Sequence, residues 1–256
     1  MNTFKFFPEG WKDESLINTN DIFQGIVEEC DENYNLHVRT ENNIEGIIPR
    51  EEVEEINVQE DGLPKINLCI GKIHKYVQFK IKEKDEDKLI LSRKEVQREV
   101  LDYIKTDLQE GQNIKGIVKN IRPYGAFIEI GGGVVGLAHI EDLSVARIKT
   151  PFERLKIGQK VNIVVKSIDR NTGKVTLSYK DTLGTWEENA KEFKVGTKTK
   201  GIVRETEKNK NGIFIELRPN LVGMAEYKEG LEYGQNINVL IKKIDYDRKK
   251  VKLAYY

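Results

Sequence analysis

The chain has 256 residues, 38 % hydrophobic and 33 % charged, with 42 basic and 42 acidic side chains and a formal net charge of zero. Two cysteines exclude a disulfide scaffold and form no C-x-x-C pair for zinc or redox chemistry, and apolar runs of a few residues are too short to span a membrane. At about 100–150 residues per domain the length predicts two or three units, and the zero charge weighs against a nucleic-acid partner.

Residues 1–11 carry Phe4, Phe6, Phe7 and Trp11 but no continuous apolar stretch that reads as a secretion signal, so a soluble, cytoplasmic chain is expected. These aromatics are expected to cover the first unit. Self-comparison then finds one unit written three times. Gly-Ile-Val begins at Gly25, Gly116 and Gly201, and a second glycine follows 20 to 22 residues later at Gly46, Gly136 and Gly223. A long alternating run comes next (Tyr76 to Ile81, Val161 to Ile168, Ile237 to Ile244), then a short closing strand (Leu89–Ser92, Val175–Ser178, Val251–Ala254). The copies differ mainly between the second glycine and the long strand, where a surface loop tolerates length change.

Between the first and middle units, Ser92-Arg93-Lys94-Glu95 has capping-box spacing, and Val96, Val100, Leu101, Ile104 and Leu108 line one face of the helix it opens. In the middle unit a Pro-Tyr-Gly bend leads into Ala126–Ile130, whose alternation puts Ala126, Ile128 and Ile130 on one face and Phe127 and Glu129 on the other. Gly131-Gly132-Gly133 turns tightly into Val134–Ala138, and Asp169–Gly173 turns the fourth strand into the fifth. Thr185-Trp186-Glu187-Glu188 repeats the capping spacing before the third unit, with Trp186, Ala190 and Phe193 as its apolar stripe. Five short antiparallel strands in about 70 residues must close on themselves to hide their edges, which predicts a small barrel per unit. The expected class is all-β: three tandem five-stranded barrels at 1–95, 96–183 and 184–256, the second and third each preceded by a short amphipathic helix.

The middle unit, from Gly116-Ile-Val-Lys-Asn-Ile-Arg-Pro-Tyr124-Gly-Ala-Phe127 through Gly136-Leu-Ala-His139-Ile, resembles the S1 RNA-binding domain of the OB-fold class. Bacterial small-subunit ribosomal protein S1 carries that domain in tandem. The resemblance covers Gly111 to Tyr179, extends to Gly196–Tyr256 through the apolar skeleton, and reaches the first unit through the internal repeat. It implies that RNA crosses one barrel face at Tyr124, Phe127, His139, Asp169 and Lys174. The residues agree: Phe127 points away from the face of Ile128 and Ile130, and an exposed aromatic is a platform on which any base can stack. Lys119, Arg122, Lys166 and Arg170 are candidates for nearby phosphate contacts.

The third unit keeps Phe214, Asp245 and the basic run Arg248-Lys249-Lys250, but Asn211 replaces the tyrosine and Glu226 the histidine. Lys208 and Lys210 are expected to compensate in part, giving weak RNA binding there. In the first unit Asn33, Leu36 and Pro49 take the places of Tyr124, Phe127 and His139, with Tyr34 one residue out of register. Gly46–Val53 resembles the leading repeats of the ribosomal protein, which implies docking on a ribosome or another protein.

Other signals are weaker. Gly131–Gly136 satisfies G-x-G-x-x-G but joins two strands of a hairpin, whereas a dinucleotide site needs a helix there. Cys30 and Cys69 read as small core side chains, and His37, His74 and His139 show no ligand spacing. Glu51–Glu55 reads as a solvated face. No paired carboxylates or nucleophile–base pair occupy a landmark position, so neither an enzyme, a cofactor, a metal nor a small-molecule substrate is expected. The reading is a monomeric, non-enzymatic binder of single-stranded RNA acting in translation. The alternative is an RNA-binding accessory subunit of an RNA-processing, degradation or transcription complex. Charge supports an RNA partner once it is divided: 1–95 holds 13 basic and 21 acidic residues, 96–183 holds 14 and 10, and 184–256 holds 15 and 11.

Overall fold

Strand alternation closes the chain into barrels in this computed structural model, which describes residues 7–11, 22–40, 45–56, 58–84, 89–205 and 212–256. The first barrel is built from β1 (Phe23–Cys30), β2 (Leu36–Thr40), β3 (Glu45–Ile48), β4 (Tyr76–Lys84) and β5 (Leu89–Ser92). The middle one uses β6 (Asn113–Arg122), β7 (Gly125–Gly131), β8 (Val134–His139), β9 (Lys160–Asp169) and β10 (Lys174–Ser178). The third uses β11 (Lys198–Glu205), β12 (Ile213–Arg218), β13 (Leu221–Ala225), β14 (Asn236–Asp245) and β15 (Lys250–Tyr255). Helices are few: α1 (Ile66–Ile70), α2 (Arg93–Thr106), α3 (Trp186–Lys191) and short 3-10 turns.

Each barrel runs first–second–third–fifth–fourth strand and back to the first. The expected all-antiparallel arrangement is corrected at one seam, because the third and fifth strands pair in parallel in all three barrels. A closed ring with an odd number of strands cannot alternate direction throughout, so one parallel pair is unavoidable. The repeated glycines mark where strands cross closely. A Cβ on Gly116 would meet Ile128 Cγ2 at 2.4 Å, and one on Gly201 would meet Ile215 Cγ2 at 2.4 Å. The barrel interior fills the space that a side chain would need.

The chain divides into two compact units, one of residues up to Asn120 with Phe127–Leu137 and Ile157–Thr176, the other of Ile121–Ala126, Ala138–Lys156 and Leu177–Tyr256. In the former, α2 buries Val96, Val100 and Ile104, and the Ser92 hydroxyl accepts the Glu95 N–H at 3.0 Å. Phe7 is buried, and its carbonyl accepts the Gln78 side-chain amide at 3.0 Å, as expected of a cover for the first barrel. Trp11 departs from that expectation: its ring lies under Lys115 and Lys160 of the middle barrel, at 5.3 and 5.1 Å. Phe4 and Phe6 lie outside the described residues.

A buried ionic network joins these parts. Arg93, 2 % exposed, meets Glu9 at 2.7 Å and Glu54 at 2.9 Å, and Lys72 meets Glu54 at 2.7 Å. The Gly-Gly-Gly turn makes room for it, since a Cβ on Gly133 would lie 1.6 Å from Arg93 Nη2. Glu129, which alternation placed on the outer face of β7, is fully covered there. Its Oε1 accepts the Glu9 N–H at 2.7 Å and the Gly133 N–H at 3.1 Å, while Lys119 sits 2.8 Å from Oε2.

Burial and then the neighbouring Glu9 charge push the Glu129 carboxyl up to about 7. A pKa raised by folding adds stability below the unfolded value, and that contribution is lost as pH rises through about 7. Glu129→Gln keeps an acceptor for both N–H groups and removes the titration. The variant is therefore expected to match wild type near pH 5 and exceed it at pH 8, by about 1–3 kcal/mol. Denaturant unfolding at the two pH values checks this; a gain equal at both would refute the assignment.

Candidate nucleic-acid interface

The outward row of each barrel is fixed by register. Val203 pairs with Ile215 and, past a bulge, Glu205 with Phe214; Val27 pairs with Val38 and, past the same bulge, Glu29 with His37. A Cβ on Gly116 would meet Ile128, and one on Gly25 would meet Val38, so Ile128, Ile215 and Val38 are equivalent. Phe127, Phe214 and His37 therefore share one outward position. This corrects the expectation that Leu36 stands where Phe127 does: Leu36 is buried in the first barrel's core. That hairpin carries one more residue than the middle one, and a one-residue slip exchanges the faces of a strand. Counted back from the strand, Tyr34 takes the place of Tyr124. Its backbone is left-handed (φ +65°), its ring packs against the first core, and the Arg50 guanidinium covers it at 5.2 Å.

In the middle unit Tyr124, at the bend between β6 and β7, is 50 % exposed, and Phe127 is half-buried on β7. The Tyr124 carbonyl accepts the Ile140 N–H at 2.9 Å, and a Cβ on Gly125 would lie 3.1 Å from His139 Cα. The bend carrying Tyr124 thus lies against the end of β8, where His139 is partly exposed and turned toward Glu141, 3.8 Å away. Leu137, paired with Thr176, continues the outward row. Arg122, Lys166 and Lys174 are exposed.

Three expected contacts have other partners. Asp169 Oδ1 accepts the Asn171 and Thr172 N–H groups at 3.0 and 3.3 Å, and its Oδ2 accepts the Thr172 hydroxyl at 2.6 Å. Those bonds, the Thr172 hydroxyl's first, hold its carboxyl below the usual range. Lys119, expected at a phosphate, is exposed and pairs with Glu129 at 2.8 Å. Arg170 is exposed, and its guanidinium donates to the Ile104 and Leu108 carbonyls at 2.8 and 2.6 Å and caps the end of α2.

In the third unit Phe214 is half-buried and sits directly opposite Met224, which in turn pairs with Lys252. Asp245 accepts the Arg248 N–H at 3.0 Å and Lys243 Nζ at 3.1 Å, so it holds a turn as Asp169 does. Lys249 meets Glu187 at 2.8 Å, and Glu226 is exposed. Lys208, Lys210 and Asn211 lie outside the described residues. In the first unit His37 lines one hollow with Glu28, Glu29 and Glu45, with Asp31 3.5 Å from its Nε2 and Arg39 pairing Glu28 at 2.8 Å, so carboxylates predominate on the equivalent face.

Burial pushes both cysteine thiols up. Among the described residues no group of three His, Cys, Asp or Glu side chains could hold a metal ion, and no helix is long and apolar enough to cross a membrane. The sequence reasoning missed Glu216, the third-unit equivalent of Glu129, which pairs with Arg204 and, at 2.7 Å, with Arg154. The recurring Phe-Ile-Glu was the available signal.

Residues 107–180 match the family model for the S1 RNA binding domain. Small ribosomal subunit protein bS1 of Staphylococcus aureus is 38 % identical over 196 residues, covering 70 % of this chain and 49 % of that one. The bS1 protein of Chlamydia muridarum is 31 % identical over 234 residues, 86 % of this chain and 40 % of that one. The chain thus spans half or less of the length of these curated relatives. Among solved structures, GSP13 from Bacillus subtilis is 30 % identical, with a TM-score of 0.29, over 30 % of this chain and 58 % of that one.

Proposed function

We propose that this chain, which carries an S1 RNA-binding domain at residues 107–180, is a non-enzymatic binder of single-stranded RNA that acts in the cytoplasm, in translation. The family match supports this reading, together with the exposed Tyr124 and half-buried Phe127 at one end of the domain's outward row. The middle barrel grips the strand by base stacking, with Arg122, Lys166 and Lys174 near the phosphates. The third barrel extends the site through Phe214 and its basic strand β15. The first barrel, with its acidic face, contacts a protein or the small ribosomal subunit, in keeping with the bS1 relatives.

Fluorescence anisotropy with a labelled oligouridine tests the core of this reading. Micromolar binding is expected, falling with salt at a log–log slope of about −0.7 per phosphate contacted, with a duplex of equal length bound far more weakly. Failure to bind at low salt would overturn it. Co-sedimentation with small ribosomal subunits tests the first barrel's role: it is expected to fall when His37 and its neighbouring glutamates are replaced. Unchanged co-sedimentation would remove that assignment.

A further inference from the structure

The segment between β8 and β9, where the repeats differ most, is pinned to the third barrel. The Ser144 hydroxyl and the Ala146 N–H both donate to the Pro219 carbonyl, at 3.1 and 3.3 Å. The Lys149 N–H donates to the Tyr233 hydroxyl at 3.1 Å, and Arg154 pairs with Glu216 at 2.7 Å. Burial alternates along this extended piece: Ala146 and Ile148 turn inward, while Val145 is 57 % and the Arg147 side chain 66 % exposed. Val145 and Arg147 then line a groove of about 420 Å³ together with Phe214 and Met224 of the third barrel.

The floor is apolar and the rim cationic. Arg147, Lys249, Lys250 and Lys252 line the groove against one carboxylate, Glu205, which Arg147 meets at 3.2 Å. Arg204 contributes no charge to spare, since it pairs with Glu216 and Glu153. The volume falls in the range of ligand pockets, about 300–1,000 Å³. A flat apolar ligand carrying negative charge at its edge fits these walls. An unstacked base with its phosphates is such a ligand, and a guanidinium plane is a stacking surface equal in kind to an aromatic ring.

We propose that this groove takes one unstacked nucleobase between Phe214–Met224 of the third barrel and Val145–Arg147 of the segment that follows β8. The third barrel's site is therefore completed by the preceding domain. The proposal rests on the chain's reading as an RNA binder and adds the residues that make its last two barrels one site.

Ultraviolet cross-linking of a 4-thiouridine oligonucleotide to the full chain, with the adducts mapped by mass spectrometry, tests it alongside anisotropy. Wild type is expected to form adducts on the β12–β13 peptide as well as near Tyr124. Val145→Asp and Arg147→Glu are each expected to weaken binding about three- to tenfold and remove the β12–β13 adducts while leaving those near Tyr124. Arg147→Gln, which keeps the side chain's size, is expected to lie between wild type and Arg147→Glu. Both positions are exposed, so the melting temperature should not change. Retention of affinity and of the β12–β13 adducts in both variants would overturn the groove, with RNA binding by the chain still standing. Protection of Val145 and Met224 by a protein and not by RNA would also overturn it. A wild-type chain that binds no RNA would remove the broader reading and this proposal together.

Discussion

Arg93→Ala is expected to cost about 3–5 kcal/mol of unfolding free energy, the range for removing one partner of a buried ion pair. The guanidinium is 2 % exposed and meets two buried carboxylates, and it also donates to the Val53 carbonyl at 3.0 Å. Burial is the largest influence and would raise the Glu9 and Glu54 carboxyls, but the Arg93 charge, the Lys72 charge and the hydrogen bonds each carboxylate accepts together outweigh it and hold both below the ordinary value. In wild type those depressed groups add stability above their unfolded pKa and lose it as pH falls. Without Arg93 burial prevails, both carboxyls rise, and the sign inverts: stability is then lost as pH rises. The deficit should therefore be larger at pH 8 than at pH 5.5. Urea unfolding followed through Trp11, whose ring lies under Lys115 and Lys160, reads both values. A deficit that does not grow with pH would show that the carboxylates find another partner or water. Since small domains hold only about 5–15 kcal/mol in total, the junction around α2 is expected to open first.

The barrels were legible because their signals are local. Alternation along β7 and capping at Ser92 and Thr185 each involve residues within a few positions of one another; the Ser92 hydroxyl accepts the Glu95 N–H, and Thr185 and Glu188 form the full capping box. Leu36 was misplaced for a reason that local reading cannot repair. It lies as far from Gly25 as Phe127 does from Gly116, yet the hairpin loop is one residue longer and the face inverts. The partners of Lys119 and Arg170 within the fold were hidden for a different reason. A basic residue near an expected RNA face gives no sign of its partners in the fold, and these come from β7 for Lys119 and from the end of α2 for Arg170. Glu129 became buried only because residues 7–11 and α2 cover β7. Alternation gave its direction correctly, but what waits in that direction is a tertiary fact.

The same distinction sets the terms for Tyr124→Ala combined with Phe127→Ala, which is expected to weaken oligouridine binding by more than tenfold. Stacking contributes about 1–3 kcal/mol per base, so two platforms account for about 2–6 kcal/mol, with every 1.4 kcal/mol a factor of ten. Tyr124 is 50 % exposed, and its backbone carbonyl holds the bend through the Ile140 N–H, so its truncation should leave the fold intact. Phe127 is only half exposed between the buried Ala126 and Ile128, and its truncation is expected to lower stability as well. Phe127→Leu separates the two effects, because leucine keeps the apolar cover and removes the π-face. The size of the double loss then counts bases. If the two rings clasp one base, the single variants each cost nearly as much as the pair, and the total stays near tenfold. If they hold successive bases, the single losses multiply toward several hundredfold. Wild-type affinity in the double variant, with its barrel still folded, would remove stacking from the mechanism and leave RNA binding to the basic strands alone.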